Sequence, residues 1–401
     1  MSLTIGGLET FAHQAERPLN AKADAFLKQY PKTESNAIAQ KLNQALIELK
    51  LAPVELWPAQ IDISWSIETE IDGYLWQQFE QTSGSLQPLP SGLQSYLNTH
   101  RAKLQRTQDL LLGSELPIWM LDVQAAANVE HLYLNFRGVS QLHRLFILQA
   151  IAADRQSQRT DRENALSAAW KLQEALAQHP LARTITPSMV RSQLGIMRYM
   201  DGLAPTWQTR ASHIAKPSQM LETLQLNNWL TYRGISSSQD PQKLMDIIGR
   251  QLLIDFRFTP PSLFRLQNVD VTERLDSAYQ TLATQNRCKA DASDLVLSMS
   301  WWNTFKKALW IGDSASAAET MALISEFTQK ILQLKAIAAQ RGQWPSTLTD
   351  STSNVCDGVR WQYTTADDAM SLSMENPPPM KEGRTTVIKE TQLPYIYSDH
   401  L

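Results

Sequence analysis

The chain has 401 residues, with 37 basic and 40 acidic side chains for a net charge of −3, a balance that excludes a nucleic-acid binder working by bulk phosphate neutralisation. Its 15 glycines and 19 prolines exclude collagen-like and low-complexity sequence. No run approaches the roughly eighteen apolar residues of a membrane-spanning helix, and Met1 to Gln14 lack the basic and apolar regions of a signal peptide.

Helical periodicity with start and stop punctuation dominates from there on. Pro31 and Thr33 precede a predicted helix that places Ile38, Leu42, Ala45, Leu46 and Leu49 on one face and ends before Pro53. Residues 63–80 carry Ile67, Ile71, Leu75 and Phe79 at steps of four, followed by the polar break Thr82-Ser83-Gly84-Ser85. From Ser91, a stripe of Leu93, Leu97, Leu104 and Leu111 predicts a helix that Gly113 ends in a left-handed cap. Residues 138–156 present Leu142, Leu145, Phe146 and Gln149. Asp161 is expected to cap the next helix, whose inner face is Ala165, Leu166, Ala169, Leu172 and Leu176, with Pro180 after it. Thr186-Pro187 and Asp240-Pro241 each read as a side-chain cap with proline in the first turn. The helices after them use Val190, Leu194 and Met197, then Leu244, Ile247 and Ile248, and Asp201-Gly202 and Gly234 are the corresponding breaks. Helices near 272–285, 292–310 and 315–341 complete the set, the last ending at Gly342.

Only the tail changes period. Val359 to Tyr363 and Met370 to Met374 alternate in steps of two, predicting a hairpin with a loop longer than two residues. Pro377-Pro378-Pro379 ends this pattern, and Thr385 to Lys389 is a candidate edge strand. The predicted fold is mainly α, with helix pairs in a bundle or short solenoid and a small C-terminal antiparallel β-hairpin. It divides into an N-terminal helical segment (1–55), a helical body (56–312) and a long helix with a small β appendix (313–401).

The sequence contains no GxSxG, HExxH, GxGxxG, P-loop or EF-hand pattern, so no catalytic residue, metal site or cofactor is expected. Of seven histidines, His131 and His143 lie near Arg137 and Arg144, and both read as core or surface residues rather than ligands. Glu68, Glu70 and Asp72 can approach one another, because i and i+4 share a helix face. A solvated face is the plainer account of them. Arg183, Arg191 and Arg198, at spacings of 8 and 7, are placed on one helical stripe suited to an anionic membrane surface or an acidic protein. Trp302, Phe305 and Leu309 continue the face begun by Leu295 and Met299, whereas Trp301 points elsewhere and is a candidate contact residue. Cys288 and Cys356 are the only cysteines. They are either two unrelated buried thiols or a disulfide closing a loop of roughly 70 residues, worth about 4 kcal/mol.

Lys330 to Lys335 and Gln340-Arg341-Gly342-Gln343-Trp344-Pro345 run a long helix into a Gly-x-aromatic-Pro turn, a cysteine-bearing loop and a hairpin. This resembles the region after the long helix of pseudopilins, where a Gly-Arg-Tyr-Pro-type turn leads to a small antiparallel sheet. Here the turn carries Gln343 and Trp344, and the apolar N-terminal helix that packs a pilus core has no counterpart. A second order of segments runs from Asn135-Phe136-Arg137-Gly138-Val139 through Ala169-Trp170-Lys171-Leu172 and Pro205-Thr206-Trp207-Gln208 to Ser353-Asn354-Val355-Cys356 and Trp361 to Ser373. Over roughly residues 34–375 it is similar to an uncharacterised cyanobacterial family with an N-terminal membrane anchor and an extracytoplasmic helical body. That resemblance brings no catalytic residues. It implies a location in the periplasm or thylakoid lumen and a Cys288–Cys356 bond fastening the β appendix to the helical body; the family's anchor has no counterpart here, which fits either a chain cut just before Met1 or a soluble relative. Free thiols would instead imply the cytoplasm. The expected function is a non-enzymatic interaction or scaffold module of the cell envelope, with a protein or an anionic membrane surface as partner and no nucleic acid. Two other readings stay open: a hydrolase-type enzyme with a site assembled from distant residues, and a helical receptor using some of the twelve tryptophans.

Overall fold

The computed structural model describes residues 5–54, 65–79, 86–127, 135–212, 217–237, 261–284, 311–366, 368–375 and 396–400. Among them are twelve helices: α1 (Ile5–Leu27), α2 (Ala37–Glu48), α3 (Trp65–Phe79), α4 (Ser91–Gly113), α5 (Val123–Ala126), α6 (Arg137–Arg155), α7 (Arg159–Gln178), α8 (Thr186–Met197), α9 (Thr206–Ser212), α10 (Pro217–Ser237), α11 (Pro261–Thr284) and α12 (Ile311–Arg341). A three-stranded antiparallel sheet follows, with β1 (Arg360–Ala366), β2 (Ala369–Glu375) and β3 (Ile396–His400) in the order β1-β2-β3. The fold is mainly helical with a small C-terminal sheet, as the periodicity predicts.

Two apolar cores organise these elements. The larger is built from α2, α3, α4, α6 to α9, α12 and the sheet, around fully buried residues such as Leu42, Phe146, Leu172, Leu194 and Phe327. The smaller joins Leu19, Ala23 and Leu27 of α1 to Leu226, Trp229 and Tyr232 of α10 and Val269 of α11, and also includes Leu121, Val123 and Leu181. Residues 1–55 therefore divide between the cores, α1 entering the smaller and α2 the larger. The helix α12 packs against α8, α9 and α10 and so runs along the join.

The apolar stripes sit where the spacing puts them, but several ends differ. Asn36 caps α2 by accepting from the Ala39 amide at 2.9 Å. Gly113 remains helical and shows no left-handed backbone; the cap is Ser114, in extended conformation. Asp161 lies inside the first turn of α7, whose cap is Gln158. Thr186 is likewise already helical, and its hydroxyl donates back to the Arg183 carbonyl at 2.7 Å instead of capping. Gly234 is carried through within α10, and α11 begins at Pro261, well before residue 272. Gly342 does end α12, at φ +67, with its amide donating to the Ala338 carbonyl at 2.8 Å. The hairpin is tighter than expected: Ala366 pairs with Ala369, leaving two residues between the strands. The Asp240-Pro241 cap, the helix predicted over 292–310, Pro377-Pro378-Pro379 and the Thr385 to Lys389 strand lie outside the described residues.

Candidate functional site

Charge and aromatic surface meet where α8 ends, α12 passes and the sheet docks. Arg198 follows the last turn of α8 and is 6% exposed. Its Nε donates to Thr328 Oγ1 at 2.9 Å, and its guanidinium sits 4.6 Å above the Phe327 ring. Phe327 in turn stacks on Trp361 of β1 with centroids 5.4 Å apart. Alternation along the strands sends Met370, Leu372 and Met374 of β2 and Tyr397 of β3 to the same buried side. The Tyr397 hydroxyl lies 2.9 Å from the Arg198 carbonyl and 2.6 Å from Asp399 Oδ2, so one proton serves two acceptors. Burial, and then the Asp399 carboxylate, push this phenol far above its ordinary range and keep it a donor. Lys335 of α12 completes the group. Its ammonium is 2.8 Å from Asp201 Oδ1 and 3.0 Å from Asp399 Oδ2, and 5.6 Å from the Tyr397 ring centre.

A second anchor lies on the same helix. Buried Glu326 accepts from Ser353 Oγ at 2.6 Å and from the Asn354 amide at 2.9 Å. Lys330, one turn on, is 3.8 Å from Glu326 and donates to the Asp350 carbonyl at 2.8 Å. Asp350 Oδ1 accepts from the Thr352 hydroxyl and amide, which holds its carboxyl below the usual range. Ser353 Oγ also accepts from the Cys356 amide at 3.1 Å. Cys356 is buried and disulfide-bonded. The other cysteine, Cys288, lies outside the described residues, as does Trp301.

The three arginines do not form a solvent-facing stripe, because only Arg191 lies within α8. Arg183 precedes the helix and is spent internally, donating to the Ala177 carbonyl at 2.8 Å and to Glu222 at 3.1 Å. Arg191 is half-buried, 5.8 Å from the Trp76 ring, and Arg198 is interior. The three carboxylates of α3 likewise diverge: Glu68 pairs with Arg137, Asp72 with Arg144, and Glu70 faces Gly92 of α4. Burial raises the Asp72 carboxyl, with the charge on Glu68 adding to it. His143 is fully buried between α6, α7 and α8. Gln173 Nε2 lies 2.7 Å from its Nε2 and donates to Gln193 Oε1 at 2.5 Å, and Gln193 Nε2 donates to the Leu166 carbonyl at 2.8 Å. With the amides so oriented, His143 Nε2 accepts and the proton sits on Nδ1. Burial pushes this imidazole down to about 3, so it is neutral at physiological pH. His131 is outside the described residues.

Among the described residues, no group of three or more His, Cys, Asp or Glu side chains is arranged to hold a metal ion, and no helix is long and apolar enough to cross a membrane. Compared with protein-family models, characterised proteins and solved structures, the chain finds no match. Asp201, Glu326, Lys335, Tyr397 and Asp399 are not legible as a group in the sequence, since they come from three separate places: the turn after α8, α12 and β3. The one local signal is the alternation in Ile396-Tyr397-Ser398-Asp399, which sets an aromatic and a carboxylate on one face.

Proposed function

We propose that this chain is a non-enzymatic interaction or scaffold module of the cell envelope. The observation that carries the reading is how the sheet and the 350–356 loop are fastened to α12. Glu326 and Lys330 hold the loop and Lys335 holds β3, through charged groups that are largely buried and committed to one another. Such an arrangement fixes a platform in one orientation, as an assembly surface requires, and leaves the Tyr397 phenol held as a hydrogen-bond donor. The envelope location rests on the family resemblance and on Cys356 being in disulfide form.

The test is fractionation of the native cells, with alkylation and intact mass before and after reduction, followed by sizing without denaturant. The expected result is an oxidised protein in the envelope fraction, in a particle larger than the 45.3 kDa chain. A free cytosolic monomer with both thiols alkylated before reduction would overturn the proposal.

A further inference from the structure

Three passages of the chain between the two cores meet. The first leads from Tyr30 in the smaller core to Ala39 in the larger, the second from Trp119 in the larger to Leu121 in the smaller, and the third from Leu181 to Ala182. Backbone hydrogen bonds tie the first two. Thr33 and Leu121 exchange amide and carbonyl at 2.9 and 3.1 Å, and the Asn36 amide donates to the Ile118 carbonyl at 2.9 Å. A side chain ties the third to the second. His179, directly after α7 and 6% exposed, sets its Nε2 3.1 Å from the Met120 carbonyl, with the Phe136 ring 5.0 Å away.

A carbonyl only accepts, so Nε2 carries the proton and Nδ1 keeps a lone pair. That Nδ1 is buried with no hydrogen-bond partner among the described residues. Of the charged groups on the elements around the ring, Arg183 repels a cation. The acids are committed elsewhere: Asp122 to Lys32 at 3.1 Å and to the Ala125 amide, Glu222 to Arg183 and the Tyr30 hydroxyl. The C-terminal end of α7 favours a cation. Burial outweighs it and, with Arg183 adding to the fall, holds the imidazole below its ordinary range. A second proton keeps the Met120 bond but adds a buried charge and an N–H with no acceptor. The cation is therefore stable only with the ring turned out to water, and the tie is then lost.

We propose that His179 is an acid-responsive fastener between the two cores: the neutral ring holds the passage at Met120 to the one at Ala182, and protonation releases it. The released ring takes up a proton at about pH 6.5 and the enclosed ring only lower, so the fastening is complete above pH 6.5 and weakens as pH falls below it. This goes beyond the interaction-module reading and does not depend on it.

The test is amide exchange on the full chain at pH 7.5 and pH 5.0, each rate corrected for intrinsic exchange. Residues 118–127 and 179–182 should lose protection about threefold or more at the lower pH. The His179→Gln chain, whose amide can still donate to the Met120 carbonyl but takes up no proton, should not show this loss. His143 is present in both chains, so the difference between them belongs to His179. An equal loss in both chains, or none in the unaltered one, overturns the proposal. If circular dichroism shows the His179→Gln chain unfolded at pH 7.5, the ring itself is titrated in the unaltered chain by NMR. It should hold the proton on Nε2 and stay neutral below pH 6.5, and an ordinary imidazole titration at about 6.5 overturns the proposal.

Discussion

Lys50 and Ser157 hold left-handed backbone, at φ 58 and 57, without being glycine. Each closes a helix in the same way: the Leu51 amide reaches back to the Leu46 carbonyl at 2.8 Å, and the Gln158 amide to the Ala153 carbonyl at 2.9 Å. A side chain in that conformation is strained, so Lys50→Gly and Ser157→Gly should each stabilise the protein by about 0.5–1 kcal/mol, read as a higher urea midpoint. Gly138 has the opposite character. A Cβ there would run into the Ala52 carbonyl, a backbone atom that cannot step aside. Gly138→Ala should therefore destabilise by about 2–3 kcal/mol in the same assay. Of these positions only Gly342-type signals are legible in a sequence, because glycine advertises a left-handed stop. Lys50 and Ser157 give no such sign, and Gly138 owes its identity to a segment more than eighty residues away.

Helices and their inner faces were readable because burial of a stripe every 3.6 residues is a repeated constraint. Helix ends were less so, since a single side chain one turn away decides whether an Asp or Thr caps or merely enters the helix. The α6–α7–α8 packing carries two further consequences. His143 stays neutral inside, whereas the unfolded chain takes up a proton below about pH 6.5. The unfolded state thus binds more protons between about pH 6.5 and 3, so there is no penalty above that window and a growing one as pH falls through it. At one pKa unit per 1.36 kcal/mol, the penalty is roughly 2 kcal/mol at pH 5. Denaturant titrations at pH 7 and pH 5 should show this loss shrink in His143→Leu. Arg162, 5% exposed, binds Asp154 Oδ1 at 2.6 Å, the Asp201 carbonyl at 2.8 Å and the Gly202 carbonyl at 3.0 Å. It ties α6, α7 and the turn after α8 together, and Arg162→Ala should cost about 1–3 kcal/mol by removing three hydrogen bonds made by one buried guanidinium.

At the scale of the molecule, the two cores predict two levels of stability. Leu19→Ala opens a space in the smaller core only. Amide exchange should accelerate across α1, α10 and α11 while α6 and α7 keep their protection; uniform acceleration would mean that the cores unfold together. This division was hidden in the sequence for a topological reason. The apolar face of α1 reads like any other, and nothing in Leu19, Ala23 or Leu27 announces that their partners lie in α10 and α11 rather than in α2. The candidate site is obscure for the same cause, its residues meeting only once α8, α12 and β3 are in place.

The pairing of α1 with α10 also sets a clock. Leu27, the last residue of α1, is added about 190 residues before Pro217, which at 5–20 residues per second is roughly 10 to 40 s. Until then Leu19, Ala23 and Leu27 lack the α10 and α11 part of their core, with Leu121, Val123, Ala126, Ala127 and Leu181 of the same cluster already made. Helix α1 thus waits long for its partners in α10 and α11, and its fate in the cell depends on what shelters it meanwhile.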